Sequence, residues 1–309
     1  MNLLYQLNYF IFSAFLTLLM LEIGVALLAL LSYKVYTDKL KKYILTMWEI
    51  NGTFAVFYLV NFEVTYPKLL QVAGTAYVFP ALLAALFLVV RNAFIAYSEY
   101  VSKPSNEKLY IKTYAIATLV IAILTISILT SSVTGTGINL TSSSINIYAL
   151  IINPYNILML IAILLFTVFM ATMFFDVIRF TKKMYPVLLI AFGLFLLATY
   201  AFVPYVFSNL ESMYYLILIS LILLGLSILF KVRESRFAKF MILLWIFASI
   251  NFFGLIEYPY MFGKGVDVTQ YMTGSAIAGP ASIITIVGGI LVGLALLYLA
   301  VLNSNKKKD

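Results

Sequence analysis

The sequence contains no histidine and no cysteine. Imidazole is the commonest protein ligand for metals and haem iron, and thiolate is the main alternative. We therefore expect no metal and no haem to be bound by this chain itself. The absence of cysteine also excludes disulfides and iron–sulfur ligation. If the chain works in electron transfer, its redox centre is expected on a partner subunit.

Charge is also scarce. Only 10% of the residues are charged, 64% are hydrophobic and the mean hydropathy is +1.05, values outside the range of soluble globular domains. Apolar runs of 18 residues or more recur from end to end, which predicts an all-α, polytopic integral membrane protein with residues 1–309 as a single membrane domain. The net charge of +8 comes from loops between apolar runs, so it does not indicate nucleic-acid binding.

The apolar runs predict about nine transmembrane helices. The third and fifth runs are longer than the ~20 residues needed to cross the hydrocarbon, which favours tilt or an interfacial extension. The predicted spans are 9–33, 44–62, 69–97, 113–131, 149–176, 185–206, 213–230, 240–257 and 281–302.

The distribution of basic residues supports this count. All of the 20 basic residues fall in loops on one side of the membrane, except Lys68, Lys264 and the intramembrane Arg91. Because cytoplasmic loops carry an excess of lysine and arginine, the N-terminus is predicted outside and the C-terminus in the cytoplasm of the cell membrane.

Four ionisable residues of the predicted spans stand out, three of them well inside and Asp176 at a span end. Charged groups are expensive in hydrocarbon, so Glu22, Glu49 and Arg91 are candidates for a buried polar site or a proton path. Glu49 and Arg91 lie at similar depths in consecutive antiparallel spans, which favours an ion pair between them, with a proton-relay role for Glu49 as the alternative. Glu22 has no evident basic partner at its depth, so we expect it to be protonated, as a hydrogen-bond donor or a proton carrier.

Other polar and small residues have narrower roles. Asn51 lies slightly deeper than Glu49 and predicts a hydrogen bond between helices. Asp176, at the cytoplasmic end of the fifth span, is expected at the interface. Gly289 and Gly293 have the GxxxG spacing that lets helices pack closely.

Two external loops are distinctive. The uncharged segment 131–147 is rich in Gly, Ser and Thr, and its Asn139-Leu140-Thr141 triplet is an N-glycosylation acceptor, although such triplets also occur by chance. The segment 257–280 is the longest connection and is predicted to fold as a cap over the helices.

No enzyme constellation is present in the sequence. It lacks a Walker loop, a Ser-His-Asp set, a metal-ligand cluster and a dinucleotide fingerprint, so no catalytic residues are predicted and the chain is at most an accessory subunit of an enzyme.

Several short motifs, in order along the chain, are similar to those of one family. The chain resembles subunit II of the cytochrome bd-type quinol oxidases over nearly its whole length. The motifs are Leu21-Glu22-Ile23-Gly24-Val25, Trp48-Glu49-Ile50-Asn51, Arg91 late in span three, Asn153-Pro154-Tyr155, Tyr258-Pro259 and Ala278-Gly279-Pro280-Ala281-Ser282.

The resemblance implies an architecture and a function. It implies two four-helix bundles plus one peripheral helix, and a haem-bearing, homologous partner subunit that carries the quinol site. This chain would then scaffold the partner within a respiratory complex that draws on the quinone pool, with acids such as Glu49 assisting proton access. Quinol oxidation and reduction of oxygen or another acceptor would take place on the partner.

Departures from the family pattern leave alternatives open. Gly52 stands where the family often has a glutamate, Glu22 is the single acid of the first-helix motif, and a histidine common in span five is replaced near Met170. These departures fit a divergent branch, such as an archaeal one. The membrane subunit of the archaeal cytochrome b558/566 complex is a second candidate, a secondary transporter is the alternative from another class, and an assembly factor is the third.

Overall fold

The computed structural model is almost entirely helical and describes residues 3–35, 37, 40–101, 105–139, 142, 144–177, 184–233 and 237–301. A π-helical turn at Tyr97–Val101 and a 3-10 turn at Val268–Tyr271 accompany the α-helices, and two short hairpins pair β1 (Ile138–Asn139) with β2 (Ser144–Ile145) and β3 (Tyr260–Met261) with β4 (Val266–Asp267). The helices are α1 (Leu3–Leu31), α2 (Tyr33–Val35), α3 (Lys41–Thr65), α4 (Pro67–Ala76), α5 (Val78–Ala96), α6 (Glu107–Thr134), α7 (Ile147–Ile151), α8 (Pro154–Phe174), α9 (Met184–Phe202), α10 (Pro204–Ser212), α11 (Tyr214–Val232), α12 (Ala238–Glu257) and α13 (Ser275–Val301).

The predicted fold class, an all-α polytopic membrane protein, is confirmed. Within the described residues, 7 helices are long and apolar enough to cross a membrane, namely α1, α5 with its π-helical turn, α6, α8, α9, α11 and α12. The long helices α3 and α13 coincide with the second and ninth predicted spans. The count of nine spans stays a prediction.

Two of the predicted spans were too long because each contains a helix break. The third span is divided at Tyr77 into α4 and α5, and the fifth is divided before Asn153 into α7 and α8. At the second break, the Asn153 side chain accepts a hydrogen bond from the Asn156 backbone N–H, and Pro154 occupies the first helical turn. This is a helix start, since a capping side chain satisfies a free N–H and proline has none to satisfy.

Contacts between helix ends show that the long helices alternate in direction. Lys41 at the start of α3 pairs with Glu107 at the start of α6 at 2.6 Å, and Asp176 after α8 pairs with Lys231 at the end of α11. We call this side of the molecule the basic end. The opposite side, where both β-hairpins lie, is called the hairpin end.

Helix α1 is the central element of the fold. It packs against α3, α6, α8, α12 and α13. A Cβ atom on Gly24 would overlap the Ala171 Cβ of α8, so glycine permits the close approach of the two backbones. The remaining strong pairings between long helices are α5 with α6, α8 with α9 and α11 with α12.

The segment 257–280 folds against the hairpin end, as predicted for a cap. The Phe262 N–H donates to the Ser132 carbonyl at 2.6 Å, and the Gly263 N–H donates to the Val133 carbonyl at 2.9 Å. Further along, the Thr273 N–H donates to the Thr65 carbonyl, also at 2.9 Å. The cap therefore ties the ends of α3 and α6 together.

Helix α13 packs through small and polar residues. Gly289 is buried, and a Cβ there would lie 3.3 Å from the Phe10 ring of α1. A Cβ on Gly288 would overlap the Phe57 ring of α3, whereas one on Gly293 meets no described atom within 4 Å. The close packing in this part of the chain thus involves Gly288 and Gly289 rather than the predicted Gly289–Gly293 pair. Thr285 also donates a hydrogen bond to the Asn61 side chain of α3.

Candidate functional site

The main buried polar cluster forms around Glu22 of α1, which is 1% exposed. The Arg91 Nη1 atom of α5 lies 2.9 Å from both carboxylate oxygens of Glu22. The Tyr114 hydroxyl of α6 donates to Oε1 at 2.9 Å, and the Asn51 amide of α3 donates to Oε2 at 2.5 Å. Four helices therefore meet at one carboxylate.

A second layer supports Arg91, which is 2% exposed. Its Nε donates to the Asn92 side-chain oxygen at 3.2 Å, and the Trp48 indole N–H donates to the same oxygen at 2.6 Å. Trp48 and Asn51 come from α3, so this helix contacts Glu22 directly and reaches Arg91 through the Asn92 side chain. The aromatic residue and the amide of the Trp48-Glu49-Ile50-Asn51 motif thus contribute to one network.

The positions of these residues along their helices explain why they meet. Glu22 and Arg91 stand in the last third of α1 and α5, whereas Asn51 and Tyr114 stand in the first half of α3 and α6. Because these pairs of helices run in opposite directions, all four residues lie in the half of the bundle nearer the basic end. The constant rise of ~1.5 Å per residue places them at similar depths.

The structure overturns the predicted ion pair between Glu49 and Arg91. Arg91 pairs with Glu22 instead, and the Glu49 side chain is exposed on the surface of α3. Glu49 and Asn51 are two residues apart, and such residues point to different sides of a helix, so both could not face the Glu22 cluster. The expectation that Glu22 lacks a basic partner was also wrong.

The geometry determines what the cluster can do chemically. The Glu22 carboxyl group accepts hydrogen bonds from a guanidinium, an amide and a phenol, so both of its oxygens are engaged by side chains from three other helices. A buried ion pair is tolerated when additional hydrogen bonds satisfy it, and here Asn51 and Tyr114 supply them. The cluster is therefore suited to fix four helices in register, more than to release a proton.

A second buried acid, Glu257, was missed in the sequence. It ends α12 at the hairpin end, is 5% exposed, and its Oε1 accepts no hydrogen bond from any described residue. Glu257 stood at the very edge of a predicted span, where water contact is the usual expectation. The signal was the following segment, because a cap folded over this end buries the last residue of the helix.

The other candidate residues lie apart from these acids. Asp176 contacts Lys231 and lies 3.8 Å from Lys239 at the basic end, as expected for an interfacial position. Asn139 is exposed on β1, while Leu140 and Thr141 of its triplet lie outside the described residues. In the described part of the chain, no three acidic side chains are grouped so that they could hold a metal ion.

Comparisons with known proteins agree on one family. Residues 2–303 match the profile of the family described as cytochrome bd terminal oxidase subunit II. The structure of bd oxidase from Geobacillus thermodenitrificans contains a chain that is 18% identical, with a TM-score of 0.77 over 99% of this chain and 100% of that one. No curated protein matches the sequence.

Proposed function

Because the chain belongs to the cytochrome bd terminal oxidase subunit II family, a family of respiratory membrane subunits, we propose that it scaffolds a haem-bearing partner subunit within a quinol oxidase complex. The partner would oxidise quinol from the membrane pool and reduce oxygen or another acceptor. The lack of histidine and cysteine in this chain supports placing the haems on the partner.

The observation that carries the proposal is the exposed face of α3. Glu49, Thr53 and Glu63 are exposed on this helix, with Val56 and Val60 between them. A charged side chain inside a bilayer costs roughly 2.5–3.5 kcal/mol even by the lower estimates, so carboxylates on a membrane-spanning helix face protein or water rather than lipid. We infer that this face of α3 binds the partner.

Proton access is the finer part of the proposal. Glu49 lies on the same α3 face, near the basic end, and no described basic residue forms an ion pair with it. A carboxyl group in that position can pass protons along the contact between two subunits. Glu22 is less suited to this role, because Arg91 holds its charge in place.

Purification of the complex from native membranes in mild detergent tests the scaffold role. We expect the wild-type chain to co-purify with a stoichiometric partner that carries haem, detected by its absorbance. Glu49→Lys should abolish co-purification, because it places an uncompensated cation in the contact. Glu211→Lys is the matched control: Glu211 is exposed on α10, away from α3, and its replacement should leave the complex intact.

Two outcomes would contradict these assignments. Recovery of the wild-type chain without a haem protein would remove the scaffold proposal, and an intact complex with Glu49→Lys would place the partner on another face. Within the assembled complex, Glu49→Gln should slow quinol oxidation, and unchanged turnover would end the proton-access role. Neither the family match nor the fold supports the secondary transporter.

A further inference from the structure

Glu257 differs from Glu22 because it is buried without forming an ion pair with a described basic residue. Within the described residues, no lysine or arginine forms an ion pair with it. Lys264 contacts one of its tyrosine neighbours instead, with Nζ 5.3 Å from the centre of the Tyr205 ring. A buried carboxylate without a counter-charge is costly, so a group in this position is expected to become neutral.

The titratable side chains that face Glu257 are tyrosines from four other helices. They are close enough to interact electrostatically with its carboxyl group, and each remains uncharged at neutral pH. These tyrosines are Tyr5 and Tyr9 of α1, Tyr58 of α3, Tyr155 of α8 and Tyr205 of α10.

Two of these hydroxyls are already engaged with the backbone. Tyr5 donates to the Gly254 carbonyl at 2.7 Å, and Tyr205 donates to the Val133 carbonyl at 3.1 Å. The Tyr155 hydroxyl is different, because it is buried and has no hydrogen-bond partner among the described residues. Glu257 Oε1 and Tyr155 Oη are therefore two unsatisfied oxygens in one electrostatic cluster. Buried polar atoms of this kind are rare and call for an unseen ligand or water.

A metal cation fits this site poorly. Sodium, potassium and calcium need several oxygen ligands with free lone pairs. The Gly254 carbonyl accepts from the Tyr5 hydroxyl and the Tyr258 N–H, and the Val133 carbonyl accepts from the Tyr205 hydroxyl and the Gly263 N–H, so both lone pairs of each are in use. A proton needs no such set of ligands, because a single carboxyl oxygen binds it.

We propose that Glu257 and Tyr155 form a buried proton-binding site at the hairpin end, in which Glu257 is a neutral carboxylic acid in the resting protein. The Tyr155 hydroxyl interacts electrostatically with this acid, and its oxygen, like Glu257 Oε1, is buried without a hydrogen-bond partner among the described residues. The site is separate from the Glu22 cluster, which lies toward the basic end. It requires only the fold of this chain, so it can fail or succeed independently of the scaffold role.

Infrared difference spectroscopy on the complex purified from native membranes tests the site. The spectrum of the wild type minus Glu257→Gln should show the C=O stretch of a protonated carboxylic acid at neutral pH, and this band should shift in D2O. It should be lost as the pH is raised, because deprotonation gives a carboxylate. Glu211→Gln is the matched control: Glu211 is exposed on α10 and is not part of the buried cluster, so its replacement should leave the band unchanged.

Three results would overturn the proposal. They are carboxylate bands alone in the wild type minus Glu257→Gln spectrum at neutral pH, a band that responds to sodium or potassium, and equal loss of the band in the Glu211→Gln control. If Glu257→Gln fails to assemble, Tyr155→Phe provides the second variant, because it keeps the acid and removes its hydroxyl neighbour. That change should shift the frequency of the carboxylic acid band, and an unshifted band would exclude Tyr155 from the site.

Discussion

Two carboxyl groups are buried in the described part of the chain, and their surroundings are opposite. Glu22, toward the basic end, contacts an arginine, an amide and a phenol. Glu257, at the hairpin end, is almost as deeply buried, but its Oε1 accepts no hydrogen bond from a described residue. Burial alone therefore does not indicate the role of an acid in this chain. The role also depends on the hydrogen-bond and ion-pair partners of its carboxyl group.

The difference has a structural origin. The partners of Glu22 come from α3, α5 and α6, so packing between long antiparallel helices brings a counter-charge to its depth. Glu257 instead interacts electrostatically with tyrosines from four other helices, and no described lysine or arginine forms an ion pair with it. The first acid stabilises the assembly of helices, and the second is tolerated within it.

The largest expected effect is the difference between two single variants, in which each buried acid is separately replaced with glutamine. Glu22→Gln leaves Arg91 buried without a counter-charge, which costs roughly 3–5 kcal/mol and should deplete the assembled complex. Glu257→Gln removes an unpaired acid and should change thermal stability by less than about 1 kcal/mol. The temperature at which half of the complex is lost, measured in detergent, compares the two.

A double-mutant cycle sharpens that result. Glu22→Gln combined with Arg91→Gln should be less damaging than the sum of the single changes, because no charge is left unpaired. Strictly additive losses, or equal losses at positions 22 and 257, would show that the two acids do not differ as their contacts imply.

A smaller effect is expected where α1 meets α8. Gly24→Ala places a methyl group against Ala171, and such overpacking typically costs about 1–3 kcal/mol. The control is Gly193→Ala on the exposed face of α9, where an added Cβ meets no described atom within 4 Å. Thermal inactivation of the complex should be faster for the first variant and unchanged or slower for the second. Equal behaviour would mean that α1 and α8 can separate without loss.

The smallest effect concerns a single hydrogen bond. Tyr114→Phe removes one donor from Glu22 but leaves Arg91 and Asn51 in place, so both carboxylate oxygens keep a partner and a loss of only about 0.5–1.5 kcal/mol is expected. Tyr148→Phe is the control, because Tyr148 is 79% exposed. Calorimetric melting of the purified complex checks both variants, and a Tyr114→Phe melting curve identical to that of the control would indicate that Arg91 alone satisfies Glu22.

The sequence predicted the positions of the helices much better than it predicted which side chains on them contact one another. Hydrocarbon thickness fixes the length of a spanning apolar run, so the runs located the long helices and the depth of Glu22, Glu49 and Arg91. Depth does not give rotation about the helix axis. The choice between Glu22 and Glu49 as the partner of Arg91 depends on rotation, which packing decides.

The second acid escaped prediction for another reason. The cap that follows Glu257 is fixed by hydrogen bonds such as those from Phe262 and Gly263 to the end of α6. These bonds join residues that are far apart in the sequence. Local patterns of hydrophobicity carry no record of such contacts. The same limitation applies to the breaks at Tyr77 and Asn153, although the Asn153-Pro154 pair is a helix-start signal that could have shortened the fifth span.

The ion pair between Glu22 and Arg91 also orders events during biosynthesis. The two residues are 69 positions apart, and α3 is made between them. The ribosome therefore delivers α1 to the membrane well before its counter-charge exists, so the nascent helix carries an unmatched acid while α3 and then α5 emerge. When α5 arrives, its Arg91 pairs with this acid. This pairing favours association of the first helices before the second half of the chain has been translated.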